Sequence, residues 1–329
     1  MNYAVIGTGW IAESYVRGTR LSENINLTAV YSRTYEKGLD FGNKFGCSNI
    51  YTDLNDFAKA DEFDSVYIAS PNVFHYSQSK LMLENGKNVI CEKPATVTPE
   101  QLTELYDLAE SKGLIFTEAM MMAYNPVSEK IAEAIKKIGE VHSAHFDFSQ
   151  LSSKYPAYKR GELPNIFNPE MATGCLMDLG CYCVYAASYF FGMPESIMAH
   201  SVFLDTGADA STSAILSYKD LDVSVTSSKI GQDYAGSQII GDLGTIRIES
   251  ISKLINAEII YNDGTRENLC GDVPKEVLMQ YEAEAFRKFI ENYEQNENTY
   301  LTAKRNSLNT CILLQEIREK SGIIIQKQL

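Results

Sequence analysis

The chain has 329 residues, of which 45% are hydrophobic and 22% are charged, and its formal net charge is -14. One hydrophobic core rarely accommodates this length, so the length predicts two domains. The acidic balance argues against nucleic acid and anionic membranes as partners, because both bind through basic patches. It is compatible with one anionic cofactor, for which a few backbone amides and one arginine suffice.

The cysteines and the N-terminus give information about the cellular compartment of the protein. Seven cysteines, an odd number in a long chain without small-scaffold spacing, favour reduced thiols. The first residues run straight into an apolar strand and carry no signal-peptide pattern. No apolar run reaches the roughly 20 residues that cross a bilayer. The sequence therefore predicts a soluble, cytoplasmic protein.

Residues 1–122 alternate short apolar runs with amphipathic stretches, a pattern typical of a doubly wound parallel sheet, the Rossmann fold. The spacing predicts strands over 3–6, 27–31, 49–51, 65–69, 88–91 and 114–117. It predicts helices over 10–22, 34–45, 72–85 and 99–112. Thr98 is the predicted N-cap of the last helix.

The pattern changes near residue 123, where a second α/β domain over residues 123–329 is predicted. Its strands are expected over 141–148, 197–204, 211–218, 221–229, 236–240, 244–249 and 256–261, in a mainly antiparallel sheet. Helices are expected over 126–137, 174–191, 274–294 and 302–321. We expect the last helices to pack back on the first domain.

A glycine-rich turn, Gly7-Thr8-Gly9-Trp10-Ile11-Ala12, directly follows the first strand and opens a helix. Gly7 permits the tight turn, Gly9 lets the backbone approach a pyrophosphate, and Ala12 keeps helix and strand close. The helix N-terminus adds partial positive charge. Residues 7–11 are therefore predicted to bind a dinucleotide. The alternative is a glycine-rich turn in another doubly wound domain.

The end of the second strand bears on the choice of nucleotide. NAD enzymes usually place a carboxylate there, on the ribose hydroxyls. This chain has Tyr31-Ser32-Arg33-Thr34 instead. Ser32 can donate to a 2'-phosphate, and Arg33 can pair with it while stacking on adenine. The sequence therefore favours NADP over NAD. Alternatively, Arg33 is only a solvated surface residue without a role in binding.

Two further strand ends are predicted to line the cofactor, because ligands of open parallel sheets lie beyond the carboxyl ends of the strands. The first contributes Ser70, Pro71, Asn72 and His75, and the second contributes Glu92 and Lys93, followed by Pro94. Lys93 is suited to bind a substrate oxygen and the nicotinamide ribose. Its alternative is a surface lysine beside Glu92.

Four elements in the first 190 residues resemble the glucose-fructose oxidoreductase, inositol dehydrogenase and MocA family. They are Gly7 to Ala12, Ser70 to His75, Cys91-Glu92-Lys93-Pro94, and Gly174 to Tyr182. The resemblance implies a Rossmann domain joined to an α/β domain with an open antiparallel sheet. It also implies a catalytic lysine, here Lys93, and a homodimer or dimer of dimers formed through that sheet.

The fourth element reads Asp178-Leu179-Gly180-Cys181-Tyr182, with Tyr182 where many relatives carry a histidine. This version resembles the branch of dimeric dihydrodiol dehydrogenases and xylose dehydrogenases. A lysine ammonium nearby favours the phenolate, so the resemblance implies that Tyr182 and Lys93 handle the substrate proton. A packed aromatic is the alternative for Tyr182. Asp178 either holds a substrate hydroxyl, orients this pair or caps the local turn.

One residue departs from the family pattern, and the cysteines and histidines do not form a metal site. Ala123 stands where relatives often carry an arginine, which puts that substrate contact in doubt. The cysteines at 175, 181 and 183 lack zinc spacing, and His142 and His145 are predicted on opposite faces of a strand. No metal is therefore expected.

The sequence thus predicts an NADP-dependent dehydrogenase or reductase that acts on the carbinol or carbonyl group of a sugar, polyol or dihydrodiol. One alternative is a non-enzymatic NADP-binding sensor that retains the fold. Another is an enzyme that keeps its cofactor bound between two substrates.

Overall fold

The structure is a computed structural model and describes residues 1–325. The strands are β1 (Asn2–Ile6), β2 (Asn26–Tyr31), β3 (Ile50–Tyr51), β4 (Ser65–Ile68), β5 (Asn88–Glu92), β6 (Phe116–Ala119), β7 (Val141–Ser149), β8 (Ser196–Phe203), β9 (Asp209–Ser217), β10 (Asp222–Ser228), β11 (Ser237–Gly241), β12 (Gly244–Ser250), β13 (Ile255–Tyr261) and β14 (Arg266–Cys270). The α-helices are α1 (Trp10–Thr19), α2 (Tyr35–Phe45), α3 (Leu54–Lys59), α4 (His75–Glu84), α5 (Pro99–Ser111), α6 (Met121–Tyr124), α7 (Val127–Ile135), α8 (Tyr155–Lys159), α9 (Cys181–Phe191), α10 (Lys275–Glu291) and α11 (Tyr293–Ser321).

The first compact unit contains the parallel sheet. Its strand order is β3-β2-β1-β4-β5-β6, which confirms the predicted Rossmann fold. Every residue of β4, β5 and β6 is buried. Helices cover both faces of such a sheet, so its central strands read as continuous apolar runs. All the carboxyl ends lie at one edge, where the glycine turn and the predicted loops begin.

The same unit includes a segment from the far end of the chain. It comprises Met1–Tyr124 together with Pro274–Arg305. Helix α10 packs against α1 at Gly18, where a Cβ would lie 2.5 Å from the Cβ of Met279. Because glycine has no side chain, the two helices approach each other directly at this point.

The second unit comprises Asn125–Val273 together with residues 306–325. Its eight strands follow the order β14-β13-β12-β11-β7-β10-β9-β8. Only β7 and β10 pair in parallel, so the mainly antiparallel sheet is confirmed. Helix α9 packs on one face, against β7 and β10. The opposite face leaves apolar side chains exposed, including Met198, Val202, Ile215 and Ile240.

Several boundaries differ from those expected. Helix α3 and strand β14 were not predicted: α3 has only six residues, and β14 is a polar strand at the sheet edge. The helix expected from 174 begins as a π-helical turn, Leu176–Gly180. Helix α11 begins at Tyr293, nine residues before the predicted start. All seven cysteines are unbridged, and within residues 1–325 no helix is long and apolar enough to span a membrane.

Candidate functional site

The glycine turn has the geometry of a dinucleotide-binding loop. Gly7 has φ +104°, and a Cβ on it would lie 2.6 Å from the carbonyl oxygen of Ala69. Gly9 precedes the first residue of α1, and a Cβ there would meet nothing within 4 Å. Gly7 thus brings β1 close to the end of β4, while Gly9 leaves open space in front of a helix N-terminus.

A cavity of about 690 Å³ extends from this turn along the ends of β2 and β4. It is lined by Ile6, Gly7, Thr8, Gly9, Tyr31, Ser32, Arg33, Thr34, Lys37, Leu54, Ala69, Ser70, Pro71, Phe74, Ser77 and Gln78. No carboxylate stands among these described residues, whereas two cations do. The set fits a nucleotide whose ribose carries a 2'-phosphate, because Ser32, Arg33 and Lys37 can all donate to it.

His75 connects two of the loops at the carboxyl edge. Its ring is 1% exposed, with Nδ1 2.9 Å from the carbonyl oxygen of Pro94 and Nε2 2.8 Å from that of Ser70. Burial lowers the pKa of His75, and the two carbonyl contacts oppose this shift. His75 therefore fixes the loops after β4 and β5 to each other. Ser70 is fixed further by donating to Gln78 Oε1 at 2.7 Å.

The end of β5 carries the Glu-Lys-Pro element. Glu92 is buried and accepts a hydrogen bond from the hydroxyl of Tyr67 on β4. The backbone N–H of Lys93 donates to Glu92 Oε2 at 3.3 Å. Lys93 itself is half-buried, at the same carboxyl edge as the glycine turn. The strand end thus fixes Glu92 firmly and leaves the lysine partly accessible.

The second unit contains the remaining two predicted catalytic residues. Asp178 lies in the π-helical turn and forms an ion pair with Lys229, whose side chain is 6% exposed. Tyr182 lies in the first turn of α9, is 9% exposed, and packs edge-on against Phe148 with ring centroids 5.6 Å apart. Asp178 and Tyr182 are therefore four residues apart on one continuous helical segment.

Small residues allow this segment to pack closely. A Cβ on Gly174 would lie 1.9 Å from Oδ1 of Asp209, whose buried carboxylate accepts from Leu176 N at 2.7 Å. A Cβ on Gly180 would lie 2.9 Å from Ser227 Oγ on β10. The glycines of the fourth sequence element therefore let the π-helical turn pack against the sheet. Burial raises the pKa of the nearby Cys175 thiol to about 12, which leaves it protonated.

Three cationic residues near these positions were missed by sequence reasoning. Lys37 lines the cavity from the first turn of α2, four residues after Arg33, and that spacing was an available signal. Lys229 directly follows β10 and has no motif around it. Lys275 begins α10, with its ammonium 3.8 Å from the ring centroid of Trp10, a residue 70% exposed beside the glycine turn. Ala123, at the expected arginine position, lies in the short helix α6.

The parallel sheet, the glycine turn and the cavity beside it define a dinucleotide-binding protein with a second, antiparallel-sheet unit. A family model described as "Oxidoreductase family, NAD-binding Rossmann fold" matches residues 1–120, and one for the GFO/IDH/MocA C-terminal domain matches residues 129–247. The chain belongs to the GFO/IDH/MocA oxidoreductase family, and the predictions of an NAD(P)-dependent enzyme and of this family are confirmed.

Named relatives and solved structures agree with this assignment. The chain is 36% identical to a scyllo-inositol 2-dehydrogenase (NADP(+)), IolU, of Bacillus subtilis, over 98% of each chain. It is 28% identical to a trans-1,2-dihydrobenzene-1,2-diol dehydrogenase of Xenopus laevis, over 88% of each chain. Its fold matches KijD10, a 3-ketoreductase from Actinomadura kijaniata solved with NADP and TDP-benzene, with a TM-score of 0.84, 20% identity and 98% of each chain covered.

Proposed function

We propose that the protein transfers a hydride between NADP and a secondary alcohol or ketone carbon of a polyol, sugar or dihydrodiol. The observation that carries this proposal is the half-buried Lys93 at the carboxyl edge of β5, in the same unit as the cavity that begins at the glycine turn. The names of the relatives, an inositol dehydrogenase and a dihydrodiol dehydrogenase, support a substrate with neighbouring hydroxyl groups.

NADP is the proposed nucleotide because of the groups at the end of β2. Ser32 is buried at the cavity wall, and Arg33 and Lys37 line it as cations. A 2'-phosphate needs such donors, whereas a free ribose hydroxyl is usually held by a carboxylate. The name of the Bacillus subtilis relative, which specifies NADP(+), supports the same choice.

Lys93 and Tyr182 are proposed to handle the proton that accompanies the hydride. NADP, when bound, accepts or supplies the hydride at its nicotinamide ring. An amine and a phenol at the substrate oxygen remove or return the proton, and a lysine ammonium favours the phenolate of a neighbouring tyrosine. Asp178, held by Lys229, is proposed to bind a substrate hydroxyl.

The exposed sheet face of the second unit is proposed to bind a second copy of the chain. Met198 and Ile215 are cross-strand neighbours on β8 and β9, with 63% and 40% exposure. An apolar surface of this kind on a polar protein usually belongs to an interface.

The function can be tested with purified protein, NADP⁺ and a panel containing scyllo-inositol, D-xylose and trans-dihydrobenzenediol, by following NADPH absorbance. We expect turnover of at least one compound. Lys93→Met and Tyr182→Phe are each expected to lower kcat about 100-fold or more, because proton transfer by a positioned group contributes that much.

Lys80→Met is the matched control, because Lys80 is a partly exposed lysine paired with Glu104 on the surface. It is expected to retain wild-type turnover. Full activity of either Lys93→Met or Tyr182→Phe would refute the proposed proton-handling pair. Tight NADP binding without turnover of any compound would refute the proposed substrate class.

A further inference from the structure

An exposed tryptophan at the glycine turn contacts a lysine that is distant in sequence. Trp10 is the only tryptophan of the chain and the first residue of α1, and it is 70% exposed. Lys275 is the first residue of α10, and its ammonium lies 3.8 Å from the centroid of the Trp10 ring. A cation–π contact therefore joins the first residues of two helices in the same compact unit.

Little of the stability of the fold depends on this contact. Helices α1 and α10 already pack against each other at Gly18, where a Cβ would lie 2.5 Å from the Cβ of Met279. A cation–π contact at an exposed site is among the weaker contributions to stability. A lysine at the first residue of a helix also opposes the helix dipole. A pair that adds little stability and breaks a local rule of helix composition indicates a functional role.

The ammonium lies beside the place where the glycine turn receives an anion. Trp10 directly follows Gly9, and a Cβ on Gly9 would meet nothing within 4 Å. Helix α1 begins at this open space, and a helix N-terminus offers an anion partial positive charge and backbone amides. Because the ammonium contacts the ring of the first helical residue, it lies within one side-chain length of this space.

The cavity at the glycine turn holds only part of a dinucleotide. It extends from the turn along the ends of β2 and β4, and neither Trp10 nor Lys275 lines it. Ser32 and Arg33 line the end that suits the 2'-phosphate of the adenosine half. The diphosphate joins the two nucleosides, so it is expected at the turn, next to the Trp10–Lys275 pair.

We propose that Lys275 is a ligand of the cofactor diphosphate, and that Trp10 is a positioning residue that holds the ammonium of Lys275 beside the glycine turn. The proposal rests on the proposed function for the identity of the cofactor. A lysine ammonium is a point charge on a flexible stem, so it binds phosphate oxygens without a fixed geometry. The bound anion also removes the conflict between the ammonium and the helix N-termini.

Isothermal titration with cofactor fragments identifies the phosphate that Lys275 contacts. Lys275→Met is expected to weaken binding of NADP⁺ and of 2'-phospho-ADP-ribose about tenfold or more, because both contain the diphosphate and lose a charge-assisted hydrogen bond. Binding of 2'-AMP, which has the 2'-phosphate but no diphosphate, should stay unchanged. Unchanged NADP⁺ affinity, or an equal loss of 2'-AMP affinity, would overturn the proposal.

Lys288→Met is the matched control, because Lys288 is an exposed lysine in the last turn of the same helix. It removes the same charge from the protein and is expected to leave all three affinities unchanged. A loss equal to that of Lys275→Met would show an effect of net charge alone and would contradict the proposal. In urea titration, a clear fall in the stability of Lys275→Met with unaltered affinities would assign Lys275 a structural role instead.

A double-mutant cycle on the affinity for 2'-phospho-ADP-ribose tests the positioning role of Trp10. Trp10→Phe keeps a ring face for the ammonium and should keep most of the affinity, whereas Trp10→Leu should lose most of what Lys275→Met loses. Combining Trp10→Leu with Lys275→Met is expected to add little to either single loss. Losses that simply add would show that Trp10 does not act through Lys275.

Fluorescence gives a readout that does not depend on turnover, because the tryptophan emission of the protein comes from Trp10 alone. The emission is expected to change when 2'-phospho-ADP-ribose binds and to stay constant when 2'-AMP binds, since only the former brings a diphosphate to the ring. In ligand-free Lys275→Met the emission should already differ from that of wild type, because the cation over the ring is gone. An emission that saturating 2'-phospho-ADP-ribose leaves unchanged would overturn the proposal.

Kinetics separate this proposal from the proposed function. Lys275→Met should raise KM for NADP about tenfold or more with a much smaller effect on kcat, because it removes binding and not proton transfer. Wild-type affinities and wild-type KM in Lys275→Met would refute the role of Lys275 alone. NADP binding that depends on Lys275, without turnover of any substrate, would refute the proposed function and leave the role of Lys275 standing.

Discussion

Asp178 and Lys229 show how a motif residue depends on a partner outside the motif. Asp178 is about one-third exposed, whereas Lys229 is almost fully buried. A buried ammonium needs a counter-charge, and a carboxylate held by one has a fixed orientation. Asp178 therefore has less freedom than an isolated turn residue, which favours its role in holding a substrate hydroxyl over simple capping.

Lys229→Met is expected to lower kcat/KM about tenfold or more, because Asp178 loses the group that orients it. The free energy of unfolding should fall by about 1–2 kcal/mol, less than for a fully buried pair because water reaches Asp178. Steady-state kinetics on the best substrate and urea titration provide the two measurements. Lys219→Met is the control, since the side chains of Lys219 and its partner Asp220 are 84% and 80% exposed. Equal effects of the two substitutions would refute the role of Lys229.

Single residues were predictable from the sequence where a motif fixes their surroundings. Gly7, Gly9 and Lys93 each follow a buried strand, and the end of a parallel strand marks the ligand edge whatever the rest of the fold does. Lys229 and Lys275 have no such local signal. Their positions depend on β10 and α10, which are distant in sequence from the motifs that they approach.

At the level of elements, the turn between β1 and α1 contains two glycines with different expected roles. Gly7 is required by the fold, whereas Gly9 is expected to leave space for the cofactor. Gly7→Ala places a Cβ 2.6 Å from Ala69 O at a positive φ. It should lower the free energy of unfolding by about 2 kcal/mol or more. Gly9→Ala meets no protein atom within 4 Å, so its stability loss should stay below about 1 kcal/mol.

The variant that costs little stability, Gly9→Ala, is expected to have a large effect on cofactor binding. Gly9→Ala should weaken NADP binding at least tenfold in isothermal titration, because its methyl group occupies the space that a pyrophosphate needs. Denaturant titration and calorimetry on both proteins check the pair. Unchanged NADP affinity in a folded Gly9→Ala protein would show that the pyrophosphate lies elsewhere.

Elements with strong periodicity were predicted within a few residues, and those missed have physical reasons. The central strands of the parallel sheet have buried apolar runs, Val66–Ile68 in β4 and Val89–Cys91 in β5. Thr98 caps α5 by accepting from Gln101 N, as its sequence position indicates. Helix α3 is too short to show periodicity and depends on Asp53 as its cap. The π-helical turn at Asp178 cannot be distinguished from α-helix by composition, because the segment is buried on nearly every side and has no separate apolar face that an extra residue would shift.

For the whole molecule, the proposed assembly predicts a mass greater than one chain in sedimentation equilibrium. Ile215→Lys adds a charge beside Met198 on the exposed sheet face, so it should shift the protein toward the mass of a single chain. Leu21→Lys is the control, because Leu21 is 52% exposed in the first unit. A wild-type protein that sediments as one chain would refute the assembly.

The discontinuous first unit has a consequence for how the chain is made. Helix α10, which packs on α1 at Gly18 and carries Lys275, is translated only after the whole of Asn125–Val273. Until then the nascent Rossmann sheet leaves the surface around Tyr15 and Tyr67 uncovered, and such apolar surfaces are the ones that chaperones bind. Synthesis of the first unit therefore starts before that of the second unit, but it is completed only after most of the second unit has been synthesised.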